Sequence, residues 1–204
     1  MELPLFPLNT VLFPGCMLDL QLFEARYLDM IGRCMKQGTG FGVVGILEGE
    51  EVGSAAQRIA PLGCEALIRD WQQLPNGLLG IRVEGGRRFT VEGTRVQADQ
   101  LTLGDIAWLD DDDADRPLLP EHADLAALLN ALAEHPLVKG LGMGGLAHGQ
   151  QELAHGQQEL ANQLAYLLPF SLDEKLELLA LGSPDARLDH LQTLLNRLQG
   201  DVIA

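Results

Sequence analysis

Residues 3–27 read LPLFPLNTVLFPGCMLDLQLFEARY, and the architecture turns on this stretch. Pro4, Pro7 and Pro14 punctuate short apolar runs, and Gly15 follows the last of them directly. Each proline removes a backbone donor and fixes φ, so the stretch predicts an irregular apolar segment pinned against a core rather than a long regular strand. Pro14-Gly15 predicts a turn. From Leu22 or Phe23 the pattern becomes helical: Phe23, Tyr27, Ile31 and Met35 recur at every fourth position, with Met30 and Cys34 beside them. That spacing predicts a helix over 23–35 laid on a core through those side chains, ended by Gly38 and Gly40. Nothing here is a nucleophile, a metal cage or a phosphate loop, so the segment speaks of architecture and not of chemistry.

Composition sets the outer bounds. A chain of 204 residues with 47% hydrophobic and 21% charged residues belongs with folded proteins and can bury a substantial core. With 14 Lys+Arg against 29 Asp+Glu, the formal net charge is −15. Such a field repels phosphate backbones and anionic membranes, which argues against DNA, RNA and membrane partners. The densest basic point is Arg87-Arg88. Cys16, Cys34 and Cys64 are odd in number and far apart, which fits buried thiols and neither a disulfide framework nor a zinc site. No signal peptide or membrane-spanning run is apparent, and a cytoplasmic location is expected.

The chain divides near its middle into a β-rich part, 1–116, and a helical part, 117–204. Residues 41–47, FGVVGIL, read as a buried strand, and 49–56 as a solvent-facing loop. Strands are expected at 57–59, 63–70, 78–84, 88–92 and 101–108. Turns are expected between them at Pro61-Leu62-Gly63, Pro75-Asn76-Gly77 and Glu84-Gly85-Gly86. Many short strands with one helix suggest a small closed or partly closed barrel. The DDDAD run at 111–115, with Pro117 and Pro120 beyond it, reads as a boundary. Past it, Leu125, Leu128, Leu129 and Leu132 line a helix over 121–134. AHGQQEL occurs at 147–153 and again at 154–160, predicting one long helix over 145–168 with Leu146, Leu153, Leu160 and Leu167 near one face. Ser171 and Glu174 have capping-box spacing, and Ser183-Pro184 opens a last helix.

Catalytic constellations fail one by one. GLGMGG at 140–145 matches a dinucleotide fingerprint by letters but lacks the preceding strand and the βαβ setting. His148 and His155 stand two helical turns apart, a poor geometry for one ion. The acidic run lacks the alternation of a calcium loop. No GxSxG elbow exists, and Ser54, Ser171 and Ser183 fall in loops or caps. The sequence therefore indicates no catalytic residue, no cofactor-binding residue and no metal ligand. Glu24 and Arg26 bracket a helix start, where either side chain could pair inward. Phe89 is expected in the core, and Arg87 or Arg88 is expected to pair with Glu24, Glu65 or Glu84.

Taken in order, these segments resemble the N-terminal substrate-binding domain of the Lon protease family. LPLFPL at 3–8 with VLFPG at 11–15, LFEARYL at 22–28, FGVV at 41–44, GCEALI at 63–68, VEGGRRF at 83–89 and LPFSLDEK at 168–175 carry the resemblance, together with Arg187. The family-signature positions are Pro4, Pro7, Pro14, Gly15, Phe23, Glu24, Arg26, Tyr27, Gly63, Glu84, Gly85, Arg88, Phe89, Pro169, Lys175 and Arg187, most of them expected to be structural. The resemblance implies an α+β fold, a PUA-like small β-barrel with one helix followed by an all-helical bundle. It covers nearly the whole chain, here without the family's ATPase and protease modules, so no peptidase activity is expected.

The implied function is a stand-alone, non-catalytic polypeptide-binding or adaptor protein with an apolar groove between barrel and helices. The partner is expected to be an unfolded or a specific polypeptide. Two alternatives remain at this point: a small-ligand or RNA-sensing PUA-like module, or an unrecognised enzyme. The first would need a positive cleft around Arg82, Arg87 and Arg88, and Arg82 and Arg87 are the candidate ligand contacts.

Overall fold

The computed structural model describes residues 1–110, 116–135 and 154–203. The chain forms two compact units, Met1–Leu109 and Asp110–Ala204. The first carries β1 (Glu2–Leu8), β2 (Met17–Leu22), α1 (Ala25–Gln37), β3 (Phe41–Glu48), β4 (Arg58–Gln73), β5 (Leu79–Val96) and β6 (Thr102–Trp108). The expected PUA-like small barrel is not what forms. The strands make one six-stranded mixed sheet in the order β2-β5-β4-β3-β1-β6. It folds back on itself where the second half of β5 also pairs with β6, but among the described residues β2 is bonded to β5 alone and its other edge is unpaired.

The expected turns at 61–63 and 84–86 are also corrected. Both lie inside long strands, β4 of 16 residues and β5 of 18. Gly63, Gly85 and Gly86 are not among the glycines with positive φ, so they do not serve as turn residues. They provide room instead. A Cβ on Gly63 would stand 2.5 Å from the Phe89 ring, and one on Gly85 would stand 2.0 Å from the carbonyl oxygen of Phe13. At that second approach Gly15 N donates to Gly85 O and Gly85 N to Cys16 O, each at 2.8 Å. The turns expected at Pro14-Gly15 and Asn76-Gly77 do form, with φ of 76° at Gly15 and 83° at Gly77.

The opening segment is more regular than its prolines suggest. β1 divides its pairing: Glu2 to Leu5 run antiparallel to β6, and Leu5 to Leu8 run parallel to β3. Pro4 and Pro7 each fall in a half with one neighbouring strand, where a missing donor is tolerated. β1 feeds a cluster of Leu3, Leu5, Val44, Phe89 and Ile106. Phe6 stacks on Tyr27 with ring centroids 4.0 Å apart, which ties β1 to α1.

Helix α1 begins later than predicted, because Leu22 still belongs to β2 and Glu24 is its extended N-cap. The buried stripe is Arg26, Tyr27, Met30, Ile31 and Cys34. Phe23 and Met35, expected on that stripe, are 55% and 42% exposed. Gly38 ends the helix in the left-handed conformation with φ 66°.

The second unit holds a 3-10 turn at Pro120–His122, then α2 (Ala123–Glu134), α3 (Gln157–Leu167), α4 (Leu172–Ala180) and α5 (Pro184–Ile203). Its core includes Leu125, Leu129, Leu160, Leu164, Leu178 and Leu191. The long helix expected over 145–168 is shorter in its described part. Gly156 is extended, with φ −147°, and bridges to Pro117, so α3 starts only at Gln157. Glycine's poor helix propensity favours a start over a continuation there. The first AHGQQEL copy, the 140–145 glycines and the 111–115 aspartates lie outside the described residues. Both predicted caps form: Ser171 Oγ accepts from Glu174 N while the Glu174 carboxylate accepts from Ser171 N, and Ser183 Oγ accepts from Ala186 N.

Two outcomes follow from this packing. Gly85→Ala forces a methyl into a backbone oxygen and is expected to cost about 2 kcal/mol or more, read as a lower urea midpoint; an unchanged midpoint would show that the 13–16 turn is not held there. The Glu174 carboxyl lies below its ordinary pKa because it accepts hydrogen bonds from Ser171 and faces Arg197. Its contribution is therefore present above the ordinary pKa and lost as pH falls through the lowered one. Glu174→Gln is expected to flatten that part of an acid titration followed by circular dichroism.

Candidate functional site

The junction between β2 and α1 collects the polar signature residues. Arg26 is 5% exposed, and its guanidinium meets Glu24 at 3.0 Å and donates to Gln100 O at 2.9 Å. It also lies over the Tyr27 ring, 4.6 Å from the centroid. A buried charge is tolerated only when it is paired and bonded in this way. Burial raises the Tyr27 pKa above its ordinary value, although Arg26 opposes the shift. Glu24 makes no side-chain cap on α1, because its carboxylate serves Arg26 and accepts from Gly53 N at 3.3 Å. Gln100 in turn accepts at its side-chain oxygen from Ala55 N at 3.4 Å. Arg26 thus fixes two surface loops, around 49–56 and 97–100, against the start of α1.

That arrangement leaves apolar side chains in solvent. Phe23 adjoins Glu24 and is 55% exposed; Val52 adjoins Gly53 and is 56% exposed. The Glu24–Gly53 hydrogen bond brings their two backbones to one corner. Val52, inside a loop of small and acidic residues, gave no sequence signal beyond its isolation there.

Trp71, on the β4–β5 hairpin, is also 56% accessible, the exposed large aromatic of the sheet. It lines two depressions. One, of about 240 Å³, is lined by Asp19, Leu20, Ile81 and Arg82 among others; the second, of about 330 Å³, by Met35, Leu67 and Ile68 among others. Trp71 is not among the sequence-predicted site residues, although a lone tryptophan in the polar run RDWQQ at 69–73 is the kind of signal that marks an exposed ring.

The three arginines do not converge. Arg82 lines the smaller depression and is held by Asp19 through contacts of 2.7 and 2.8 Å, which raise its pKa further. Arg87 lies 4.0 Å over the Trp108 ring and 3.9 Å from Glu65. Arg88 is 1% exposed, inside the core beside fully buried Phe89.

Other signature residues hold the fold. Glu84 pairs with Arg69 at 2.6 Å. Lys175 Nζ donates to Tyr166 O at 2.7 Å, near the end of α3. Pro169 follows Leu168, the C-cap of that helix. Arg187 is buried, donating to Asn162 Oδ1 and to the carbonyls of Leu178 and Leu181, where α4 ends.

Among the described residues no three His, Cys, Asp or Glu side chains cluster to hold a metal ion, and no helix is long and apolar enough to cross a membrane. The three cysteines are buried and unbridged, and burial pushes the Cys34 thiol up in pKa. His155, one of the repeat histidines, sits ahead of α3, with its backbone N donating to Glu159.

The described residues thus form a mixed sheet whose β2 is paired on one side only, an irregular β2–α1 corner and a helical unit, the frame of an α+β domain. Residues 2–197 match the family described as the ATP-dependent protease La (LON) substrate-binding domain, and the chain belongs to that family. It is similar to a Lon N-terminal domain protein from Xanthomonas campestris, with 35% identity, a TM-score of 0.73 and coverage of 95% of this chain and 98% of that one. The N-terminal domain of Mycobacterium avium complex Lon protease shares the fold at 18% identity and TM-score 0.61, with 94% of this chain and 96% of that one covered. A Lon protease of Flavobacterium johnsoniae is 28% identical over 92 residues, which are 45% of this chain and 11% of that protein. The match thus spans only about a ninth of that relative's length.

Arg26→Met tests the corner. It removes the donor to Gln100 O and leaves Glu24 without its cation, at an expected cost of about 2 kcal/mol. Amide exchange at Gly53 and Ala55 is expected to accelerate more than exchange in β3; uniform acceleration would mean that Arg26 does not organise these loops.

Proposed function

We propose that this domain recognises polypeptides through side-chain contact, with no chemistry of its own. The observation that carries the reading is that Phe23 and Val52, both exposed, flank the Glu24–Gly53 hydrogen bond at a corner bonded from beneath by Arg26. Large apolar groups left in water on a fixed frame gain free energy when a partner covers them, at roughly 25 cal/mol per Å². Rigidity matters, because the ordering cost then falls mainly on the partner. Exposed Trp71 offers a second anchor of the residue type that dominates binding hot spots. Family membership supports a polypeptide over other ligands. The arginines that a nucleic acid would need are instead paired with Asp19, stacked on Trp108 or buried in the core.

The partner most compatible with a corner of this kind is an unfolded chain, whose apolar side chains are available. In an anisotropy titration with a labelled, permanently unfolded polypeptide, wild-type protein is expected to bind saturably and to ignore the folded control. Phe23→Ala combined with Val52→Ser is expected to weaken binding about tenfold or more, with the unfolding midpoint little changed because both side chains are exposed. Equal affinity of variant and wild type would remove this corner from the reading.

A further inference from the structure

β2 is hydrogen-bonded on one side only among the described residues, and that side belongs to β5. Its other side presents backbone N–H and C=O groups in the spacing that another strand completes. The cross-strand register shows which side chains such a strand would meet. Leu18 lies beside Val83 and then Ile68, and Leu20 beside Ile81 and then Trp71. These two apolar rows start in the core at Val83 and Ile81 and reach the edge with Leu18 and Leu20 half-buried. Between them, on the opposite face, runs the row Asp19, Arg82, Asp70. Two carboxylates share one guanidinium there, and the row ends at the edge on an acid.

We propose that the free edge of β2 takes up an extended polypeptide segment in which apolar residues alternate with basic ones. The inference rests on the polypeptide-recognition reading and deepens it by naming the class of segment. Backbone pairing calls for an extended chain. Leu18 and Leu20 call for apolar side chains on one face, and Asp19 calls for a cation directly opposite on the other. A second copy of this chain fits poorly. Its own β2 would offer Asp where a cation is wanted, and it would bring a net charge of −15 against another −15. Continuity with the apolar corner strengthens the assignment. Leu22 ends β2 and Phe23 follows it, so a segment lying along the edge arrives at the exposed ring. Main-chain pairing and side-chain capture then lie on one path, the mode known as strand addition.

The test uses a fluorescein-labelled peptide of four Val-Lys repeats and the 204-residue chain. Its first twin has esters in place of the central amides, which deletes backbone donors and leaves the side chains alone. Its second twin carries Glu for Lys. The Val-Lys peptide is expected to bind saturably, and the ester twin about tenfold more weakly. The Glu twin is expected not to bind wild type, and Asp19→Lys is expected to reverse the preference between the two charges. Should that variant fold poorly, the Lys-to-Glu comparison on wild-type protein decides the charge term. An ester twin that binds as well as the amide peptide overturns strand addition, and so does indifference to peptide charge. If the unfolded polypeptide still binds wild type in either of those cases, recognition by the Phe23 corner stands without the edge. If it does not bind, both readings fall.

Discussion

At Gly85 the absence of a side chain lets the Phe13 carbonyl come within 2.0 Å of where a Cβ would be. Reciprocal hydrogen bonds through Gly15 and Cys16 fasten the two segments together at that point. Just before it β5 pairs with β2 and β4, and just beyond it β5 turns to β4 and β6. The 13–16 turn is therefore delivered to the place where β5 changes partners, and β2 leaves from there along the outside of the sheet. The open edge, the exposed Phe23 and the start of α1 all lie downstream of that one close approach.

Two buried arginines and a half-buried lysine do the work of positioning elsewhere. Arg26 serves Gln100 O, Arg187 serves Leu178 O and Leu181 O, and Lys175 serves Tyr166 O. Each ends on backbone carbonyls at loops or helix ends, groups that apolar packing cannot satisfy. A guanidinium under a loop fixes the loop without drawing its apolar residues inward. That is how Val52 and Phe23 remain in solvent on a frame that is nonetheless well bonded.

Local chemistry was legible wherever the cause was local. Pro14-Gly15, Asn76-Gly77, the Ser171–Glu174 box and Ser183-Pro184 form as read, because each is fixed by the backbone preferences of a few residues. Readings that depended on distant partners did not survive. The prolines of β1 looked like breakers, but its neighbours change from β6 to β3 midway, and each proline needs a partner on one side only. Gly85-Gly86 looked like a turn, but the glycines are wanted for clearance, which a single sequence cannot distinguish from positive φ. Splitting β4 and β5 at their glycines then turned two long bent strands into four short ones and made a small barrel seem natural. The helix stripe was placed on Phe23 and Met35 by period alone, whereas the buried guanidinium of Arg26 shifts it. Of the candidate site, Phe23, Glu24 and Arg26 were visible as a motif, while Val52 and Trp71 needed coordinates to be seen as exposed.

The open edge of β2 also bears on how the protein behaves in bulk solution. Strand edges pair indiscriminately, and natural sheets guard them with bulges, short strands or inward charges. β2 has six residues and one carboxylate, so local geometry guards it only weakly. Long-range repulsion between acidic molecules supplies most of the protection. Colloidal stability is consequently tied to pH and ionic strength: as the medium approaches the isoelectric point near 4.5, or as salt shortens the reach of the field, the barrier between neighbouring edges thins. Haze or gelation would then begin at a surface that is still folded, with no unfolding required.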